Sequence, residues 1–215
     1  MNKIDNTDLP LLWGRATSIN VQKVLWLAEE LGLQLRRIDA GMHHGVVNTS
    51  TYIEMNPNKL VPTLQDGDLT IWESNTIVRY IARKFAPNNW LPIESGNLAS
   101  MEKWMDWSLS KCAVCMGPLY FQLIVIPESQ KDQSIINNSK ANAKEVMLTL
   151  AGALEKNSWL AGSEITLADI ACAPFVYRWL KLPIERPTLP ILDRYVSKLM
   201  EREAFLLHVA VKLGV

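Results

Sequence analysis

Hydrophobic and polar residues follow two different patterns in the two halves of this chain. Up to residue 86, apolar runs of strand length are mixed with stretches of helical periodicity, and after residue 97 every patterned stretch has the helical period. The segment between them, "APNNWLPIESGN", is rich in Pro, Asn and Gly and is typical of a linker. We therefore predict two domains, a small α/β domain over residues 8–86 and an all-helical domain over residues 97–215.

The first predicted helix is "INVQKVLWLAEELG", and a short buried strand in "PLLWGR" precedes it. Its apolar residues have the i, i+3, i+4 and i+7 spacing of a buried face; they are Val21, Val24, Leu25, Ala28 and Leu31. Lys23, Glu29 and Glu30 are predicted to lie on the outer face. Gly32 is predicted to end the helix.

Three further stretches complete the N-terminal domain. "LQLRRIDAG" alternates as a second strand, and "LVPTLQDGDLTIWE" predicts a hairpin with a tight turn at Asp66-Gly67. "SNTIVRYIARKF" predicts a helix with Ser74 at its N-cap. The order β-α-β followed by β-β-α predicts a small mixed sheet with helices packed on it.

Four longer helical stretches follow the linker. They are "NLASMEKWMDWSLSKCAVCMG", "INNSKANAKEVMLTLAGALEKN", "TLADIACAPFVYRWLKL" and "LPILDRYVSKLMERE". The first is expected to end or kink at Pro118, because proline removes a helical hydrogen bond.

Composition excludes several classes of partner. The 215 residues are 48% hydrophobic, with 22 basic and 22 acidic residues, so no basic surplus favours nucleic acid or anionic lipid as the main partner. The N-terminus has no signal-peptide pattern, and no apolar run reaches the roughly 18 residues of a membrane span. Three cysteines, an odd number, argue against a disulfide framework. We expect a cytoplasmic protein.

The proline in "LVPTL" is out of place in a central strand because it cannot donate a ladder hydrogen bond. A cis bond between Val61 and Pro62 at the start of an edge strand is one solution. It leaves the backbone N–H and C=O of Val61 available to an extended ligand, which pairs with them as another strand does. An ordinary edge strand is the alternative.

Glu73 and Ser74 open a helix about ten residues later. A helix N-terminus attracts carboxylates, the Ser74 hydroxyl adds a donor, and Glu73 accepts from an ammonium. A carboxylate beside an ammonium is an amino-acid head group, so the two motifs together predict a site for a small peptide. The alternative is that Ser74 only caps its helix.

These motifs resemble those of the cytosolic glutathione S-transferases. "NPNKLVPTLQDGDLTIWESNTIVRYIARKF" is similar to that family's Asn-Pro, Val-Pro and Glu-Ser run, and "ITLADIACAPFV" resembles its buried capping box, with Thr166 as cap and Asp169 at N3. "KWMDW" and "MEREAF" resemble a bacterial, serine- or asparagine-type (Theta/Nu-like) branch. The resemblance implies a thioredoxin-like N-terminal domain, an all-helical C-terminal domain and a homodimer.

The resemblance also implies how glutathione is held. Val61 is expected to bind the cysteinyl backbone, with Pro62 as the cis-proline, while Glu73 and Ser74 hold the γ-glutamyl end. Lys59 lies where some classes place a basic residue facing the glycyl carboxylate, although a solvated loop lysine is equally expected.

His43 and His44, in "GMHHG", are alternatives for the same carboxylate, and plain surface histidines are the favoured interpretation. The resemblance implies glutathione as the co-substrate. No third metal ligand occurs at useful spacing, so no metal site is predicted.

In this family a hydroxyl or thiol between the first strand and first helix activates glutathione. The turn here, "GRATSINVQKV", contains neither tyrosine nor cysteine. Ser18 falls at the serine position, Asn20 is a donor in some bacterial relatives and Thr17 is adjacent; their ranking stays open. A free thiol has a pKa near ~8.5. A hydroxyl donor and the positive end of the helix stabilise the thiolate and so lower the pKa of the glutathione thiol.

The second substrate is expected to lie against the long helix after the linker. Its candidate wall residues, each of which could instead belong to the core, are Trp107, Lys111, Cys115, Met116 and Tyr120. Cys112 and Cys115 form a C-x-x-C on a helical stretch, and we interpret them as packing or cleft residues. Cys172 is predicted to be buried.

The favoured function is transfer of glutathione to a small hydrophobic electrophile, by conjugation or dehalogenation, in detoxification. A glutathione-dependent disulfide reductase or peroxidase is one alternative, and a non-catalytic dimeric binding module is another. A module without a ligand has no need of the full set of Ser18, Val61-Pro62 and Glu73-Ser74, which favours an enzyme. Maleylacetoacetate-type isomerisation is disfavoured because "ATSIN" is not a Ser-Ser-Cys-like turn.

Overall fold

The computed structural model describes residues 9–86 and 90–214. The chain divides into two compact units, Met1–Pro87 and Asn88–Val215. The first contains a mixed sheet with helices and the second is helical throughout its regular elements. The predicted fold class is therefore confirmed.

The N-terminal unit is built on a four-stranded sheet of order β2-β1-β3-β4. β1 and β2 are parallel, and the β1–β3 and β3–β4 pairs are antiparallel. The strands are β1 (Leu11–Trp13), β2 (Arg36–Ile38), β3 (Thr63–Asp66) and β4 (Leu69–Trp72). The helices are α1 (Ile19–Glu30), α2 (Ser50–Met55) and α3 (Ser74–Phe85), and α1 packs on α3. The sequence analysis did not predict α2.

The strand register gathers four connections at one end of this sheet. Trp13, the last residue of β1, pairs with Ile38, the last of β2, and with Thr63, the first of β3. Thr63 in turn pairs with Trp72, the last residue of β4. The connections that leave or enter the sheet next to these residues therefore all lie at the same end, which we call the ligand end.

Two details of the hairpin differ from the prediction. β3 lies between β1 and β4, so Pro62 precedes an internal strand and not an edge strand. The proline is tolerated because the ladder begins one residue later, at Thr63, and Pro62 donates nothing to it. The turn is Gly67-Asp68, because Asp66 still pairs with Leu69 and Gly67 takes the positive φ of 59°.

The prediction for Lys23 was wrong. Its side chain is 0% exposed and its Nζ donates to Asn75 Oδ1 on α3 at 3.5 Å. Periodicity placed it on the outer face because it assumed one buried stripe, whereas α1 is also covered along the side that packs on α3. Glu29 is exposed, as predicted.

Two buried side chains fix the loop that leads to Pro62. The Tyr52 hydroxyl donates to the Leu60 carbonyl at 2.7 Å and is 2.9 Å from Thr63 Oγ1. Asn56 Nδ2 donates to the same two acceptors, at 2.9 and 3.0 Å. α2 carries Tyr52, so this short helix anchors the approach to β3.

The C-terminal unit contains six α-helices within the described residues. They are α4 (Ser95–Trp107), α5 (Ala113–Tyr120), α6 (Gln133–Leu154), α7 (Leu167–Lys181), α8 (Pro190–Leu199) and α9 (Glu203–His208). α7 is the central helix, because residues 167–179 are all buried. The sequence analysis missed α9, and α4 begins inside the predicted linker, where the Glu94 carboxylate caps it through the N–H groups of Gly96 and Asn97.

Pro118 does not end its helix. α4 continues through a π-helical turn (Ser108–Cys112) into α5, which contains Pro118, and then into a second π-helical turn (Phe121–Val125). The Phe121 N–H bonds to the carbonyls of Gly117 and Pro118, so helical bonding resumes directly after the proline. The π-helical turns shift the hydrogen-bond register of the helix before and after Pro118, which has no N–H to donate.

The continuous helical run Ser95–Val125 is long and apolar enough, by length and composition, to cross a membrane. This stretch was not predicted as a candidate membrane span, because polar residues interrupt its apolar positions. α4 packs on α7, and α5 packs on α6. A core helix of a helical domain meets the same criterion, so this one run is weak evidence for a membrane span.

The predicted capping box at α7 is present. Asp169 is fully buried, and its carboxylate accepts from the backbone N–H of Thr166 at 3.0 Å and of Leu160 at 3.1 Å. The Tyr195 hydroxyl on α8 adds a third bond at 2.8 Å. Burial raises the pKa of the Asp169 carboxyl to about 6, and these hydrogen bonds oppose that rise.

We predict that the free energy of unfolding depends on pH through the protonation of Asp169. Because its folded pKa is raised, the folded chain holds the proton more tightly than the unfolded chain, so this contribution to stability is lost as the pH rises from about 4 to about 6. Urea unfolding of wild type and Asp169→Asn from pH 4 to 7 measures it. The free energy of unfolding of wild type relative to the variant should fall by roughly 2 kcal/mol across this window and then level off. Glu164→Gln, at an exposed acid, is the control; a wild-type advantage that grows with pH contradicts the assignment.

We also predict that Tyr52→Phe loosens the loop before Pro62. The change removes one donor from the Leu60 carbonyl and should lower the free energy of unfolding by about 1–3 kcal/mol. Amide hydrogen exchange at Lys59, whose N–H donates to the Asn56 carbonyl at 3.1 Å in this loop, should become faster. Tyr80→Phe, which removes a hydroxyl bound to Asp66 at the other end of β3, should leave that exchange unchanged. Equal exchange in all three proteins would show that Tyr52 does not hold the loop.

Candidate functional site

At the ligand end, the turn after β1 lies directly against Val61. A Cβ on Gly14 would lie 2.4 Å from Val21 Cγ2 and 3.3 Å from Val61 Cβ, so no larger residue fits. The Gly14 φ of 153° is also one that side chains rarely adopt. Glycine at this position therefore brings the start of α1 and the Val61-Pro62 segment together.

Val61 and Pro62 are joined by a cis peptide bond, as predicted. Within the described ranges, neither the N–H nor the C=O of Val61 has a hydrogen-bond partner. Buried backbone groups are nearly always paired, and Val61 is half-buried. Its backbone is thus available to an extended ligand.

The start of α3 differs from the prediction. Glu73 and not Ser74 is the N-cap, and Glu73 has a φ of 72°, which is uncommon for a side chain other than glycine. Ser74 is the first helical residue and is 2% exposed. Its hydroxyl is buried without a hydrogen-bond partner, and such a group costs about 1–3 kcal/mol. An unpaired hydroxyl beside a strained residue at a helix start is an arrangement that a ligand completes.

The candidate thiolate donors lie at the start of α1. Ser18 is the N-cap of this helix, yet its side chain makes no capping bond. Its backbone C=O accepts a hydrogen bond from the Gln22 N–H at 2.8 Å, which fixes the position of the residue. Its hydroxyl accepts no hydrogen bond from an N–H group of the helix. Asn20 Oδ1 is buried without a partner, and Thr17 is half-buried in the same turn. The interpretation of Ser18 as a simple capping side chain does not hold.

Lys59 and the two histidines are exposed. Lys59 has a φ of 56° in the loop before Pro62. His43 and His44 lie in a 3-10 turn after β2, with ring centroids 3.9 Å apart. Within residues 9–86 and 90–214, no group of three or more His, Cys, Asp or Glu side chains is placed to hold a metal ion.

The sequence analysis missed Arg15. Its guanidinium Nη1 lies 3.0 Å from the point where a Cβ of Gly41 would be, and the Val61 methyls lie 3.5 and 3.6 Å from that point. Its backbone N–H donates to Ala40 at 3.2 Å. The Arg15 guanidinium and the Val61 side chain therefore both lie next to Gly41, and the signal was an arginine directly after the glycine that follows β1.

The five electrophile candidates divide within the C-terminal unit into two residues that are not buried and three that are. Trp107 is half-buried at the end of α4, edge-on to Trp104 at 5.3 Å between ring centroids, and Lys111 is exposed on the π turn. Cys115 and Tyr120 are buried inside the unit, as is Met116.

Two of the three buried candidates, Cys115 and Tyr120, have partners inside the unit. The Cys115 thiol contacts the carbonyls of Lys111 and Cys112 at 3.3 and 3.5 Å, and burial raises its pKa to about 11. The Tyr120 hydroxyl donates to the Gly214 carbonyl, and the Arg178 guanidinium lies 4.1 Å from its ring centroid. Cys115 therefore favours the neutral thiol, and Tyr120 holds the C-terminal segment. Cys172 is buried, as predicted.

Comparisons with known proteins agree with this geometry. The chain matches the family model for the glutathione S-transferase N-terminal domain over residues 11–83 and that for the C-terminal domain over residues 115–203. It is 36% identical over 195 residues to glutathione S-transferase GstB of Escherichia coli K12, covering 90% of this chain and 94% of that protein. It is 27% identical to glutathione S-transferase 1 of Triticum aestivum over 90% of each chain.

Two solved structures extend the comparison. The theta class glutathione S-transferase of Xanthomonas axonopodis pv. citri, solved with glutathione bound, is 37% identical with a TM-score of 0.92, covering 96% of this chain and 100% of that one. Glutathione transferase F7 of Populus trichocarpa, at 24% identity and a TM-score of 0.85 over 96% of this chain and 100% of that one, shows the shared fold. Because both halves match and the bacterial relatives exceed 30% identity over nearly the whole chain, this chain belongs to the glutathione S-transferase family and is a glutathione transferase.

Proposed function

We propose that this chain binds glutathione at the ligand end of its sheet and holds the glutathione sulfur as a thiolate. The glutathionyl group is then transferred, through this sulfur, to a small hydrophobic electrophile. Conjugation and dehalogenation are the two forms of this substitution, and the proposed role is detoxification. The observation that carries the proposal is the Ser74 hydroxyl, which is buried without a partner at the first turn of α3.

Each part of glutathione has a matching group. The N–H and C=O of Val61 pair with the cysteinyl backbone, as β-strand addition requires. The γ-glutamyl carboxylate takes the Ser74 hydroxyl and the first N–H groups of α3, and Glu73 accepts from the γ-glutamyl ammonium. Lys59 supplies a cation for the glycyl carboxylate. The glutathione-bound Xanthomonas relative, with its TM-score of 0.92, supports this assignment.

Thiolate activation is assigned to the start of α1. A free thiol of pKa near ~8.5 is mostly protonated at neutral pH, and lowering this pKa by two units requires about 2.7 kcal/mol of preference for the thiolate. The Ser18 hydroxyl, the Asn20 amide and the N-terminal dipole of α1 are the groups proposed to supply it. The thiolate then attacks the electrophile, and the leaving group departs with the bonding electron pair.

The sulfur in this reaction comes from glutathione and not from the chain. Cys112, Cys115 and Cys172 are free and buried. Burial raises the pKa of Cys115 to about 11, which disfavours it as a nucleophile. Three free buried thiols also support a reducing compartment, so a cytoplasmic location is part of the proposal.

For the electrophile we propose a wall along α4 and α5. Trp107 is half-buried and Lys111 is exposed, and both supply contact groups. Cys115 and Tyr120 support this wall from inside the unit. Tryptophan offers a large apolar face to small hydrophobic molecules. A homodimer is the proposed assembly, as the family resemblance implies.

We predict that Ser74→Ala separates ligand binding from stability. Titration calorimetry with glutathione should show binding weaker by about 1–3 kcal/mol, because a charge-assisted hydrogen bond is lost. The free energy of unfolding without ligand should not fall, since the hydroxyl has no partner to lose.

Thr166→Ala is the matched control. It removes a buried hydroxyl that accepts from the Ala168 N–H at 3.3 Å, so it should cost about 1 kcal/mol of stability and leave glutathione binding unchanged. Unchanged glutathione affinity in Ser74→Ala would overturn the γ-glutamyl assignment.

We predict that Ser18→Ala or Asn20→Ala raises the pKa of bound glutathione. Ultraviolet thiolate absorbance of the saturated complex, titrated from about pH 5 to 9, should show a thiolate at pH 7 in wild type and a pKa raised by about 1–2 units in the variant that lacks the main donor. Thr51→Ala, at an exposed hydroxyl on α2, should match wild type. Glutathione that binds but stays protonated in every protein would identify a binding pocket without thiolate activation.

A further inference from the structure

A cavity in the C-terminal unit has no part in the proposed function. It has a volume of about 440 Å³ and lies between the end of α6, the residues that follow this helix, and α8. Sites for small molecules have volumes of roughly 300–1,000 Å³. The cavity is therefore large enough for a small molecule, and the chemistry of its walls indicates which kind.

The floor of the cavity is apolar. Leu154, Ile191 and Tyr195 line it, and Leu154 and Tyr195 are buried. The Tyr195 hydroxyl donates to the Asp169 carboxylate at 2.8 Å, and its ring lies edge-on to Trp159 at 5.9 Å between ring centroids. These contacts hold the Tyr195 side chain in place, so the floor is already formed without a ligand.

The rim of the cavity is cationic. Lys156 follows α6, and Arg194 and Lys198 lie four residues apart on α8, so these two side chains share one face of that helix. Like charges at this spacing destabilise a helix. Glu155 is the one acidic residue among those that line the cavity. The cavity therefore has an excess of positive charge, although the formal net charge of the whole chain is zero.

Within the described part of the chain, none of the three rim cations forms an ion pair with a carboxylate. Lys131 and Lys140 of the same unit do form such pairs, with N–O distances of 2.6 and 3.7 Å. Lys198 Nζ lies 3.9 Å from the centroid of the Trp159 ring, which positions its charge without neutralising it. Three cations around one concave surface favour an anion with several acceptor atoms.

A phosphate group meets this requirement. It carries roughly two negative charges at neutral pH and three strong acceptor oxygens, so a guanidinium and two ammonium groups can each donate to it. The Ser158 hydroxyl and the Asn157 amide, which also line the cavity, are further donors. The apolar floor is available to the organic part of a phosphate ester.

We propose that this cavity binds an organic phosphate. Its phosphate group is held by Lys156, Arg194 and Lys198, and its apolar part covers the floor. All of these residues belong to the C-terminal unit, whereas the proposed glutathione-binding residues belong to the N-terminal unit. The proposal therefore does not depend on the proposed function.

Titration calorimetry with phenyl phosphate tests the proposal, on protein saturated with S-hexylglutathione so that the proposed glutathione site is filled. Wild type should bind one phenyl phosphate per chain. Lys156→Gln and Arg194→Gln should each weaken this binding about tenfold, because each removes a charge-assisted hydrogen bond. Lys144→Gln removes the same charge from an exposed position on α6 outside the cavity and should change nothing. All three positions are exposed, so the variants are expected to fold.

A second ligand separates the floor from the charges. Inorganic phosphate should bind wild type at least about fivefold more weakly than phenyl phosphate, because it leaves the apolar floor in contact with water. Equal binding of the two phosphates overturns the proposal of an organic ligand. Absence of saturable binding to wild type, or an equal loss in Lys144→Gln, shows only general attraction between charges and also overturns it. These outcomes leave the proposed glutathione site unaffected.

Discussion

β3 is hydrogen-bonded to β1 on one side and to β4 on the other, and this double pairing determines where the candidate glutathione-binding residues lie. Thr63 faces Trp13 and Trp72 together, so the segments that follow β1 and β4 and the segment that precedes β3 meet at one end of the sheet. A shift of one residue in the register would turn each side chain to the opposite face. Gly14 permits the close approach of the segment after β1 to Val21 and Val61.

Two features at this end are unfavourable in the free chain. The Ser74 hydroxyl is buried without a partner, and Glu73 has a positive φ. The buried Asp169 carboxylate in the C-terminal unit, by contrast, accepts three hydrogen bonds. Local costs that gather where a peptide ligand is proposed to bind are typical of a functional site.

Much of the site could be predicted from local sequence rules. A proline between β-prone residues, a helix start with Glu-Ser and a Thr-x-x-Asp box each depend on a few neighbouring residues, and the structure has a cis bond, a helix start and a capping box at these positions. The errors have another origin. Lys23 was placed outside because periodicity does not show that a second helix covers that side, and Pro62 was placed at an edge because pairing partners are distant in sequence. Ser74 was predicted to be the cap because serine is a preferred capping residue. The cap is defined by backbone angles, however, and the residue with non-helical angles is Glu73.

The buried start of α3 and the free backbone of Val61 are thus proposed to hold the γ-glutamyl end and the central cysteinyl residue of one glutathione molecule. A crystal structure of this protein with glutathione tests this proposal most directly. The account predicts the γ-glutamyl carboxylate within hydrogen-bond distance of Ser74 Oγ, with the cysteinyl backbone paired to Val61. Glutathione bound elsewhere, or bound with Ser74 Oγ still unpaired, would contradict it.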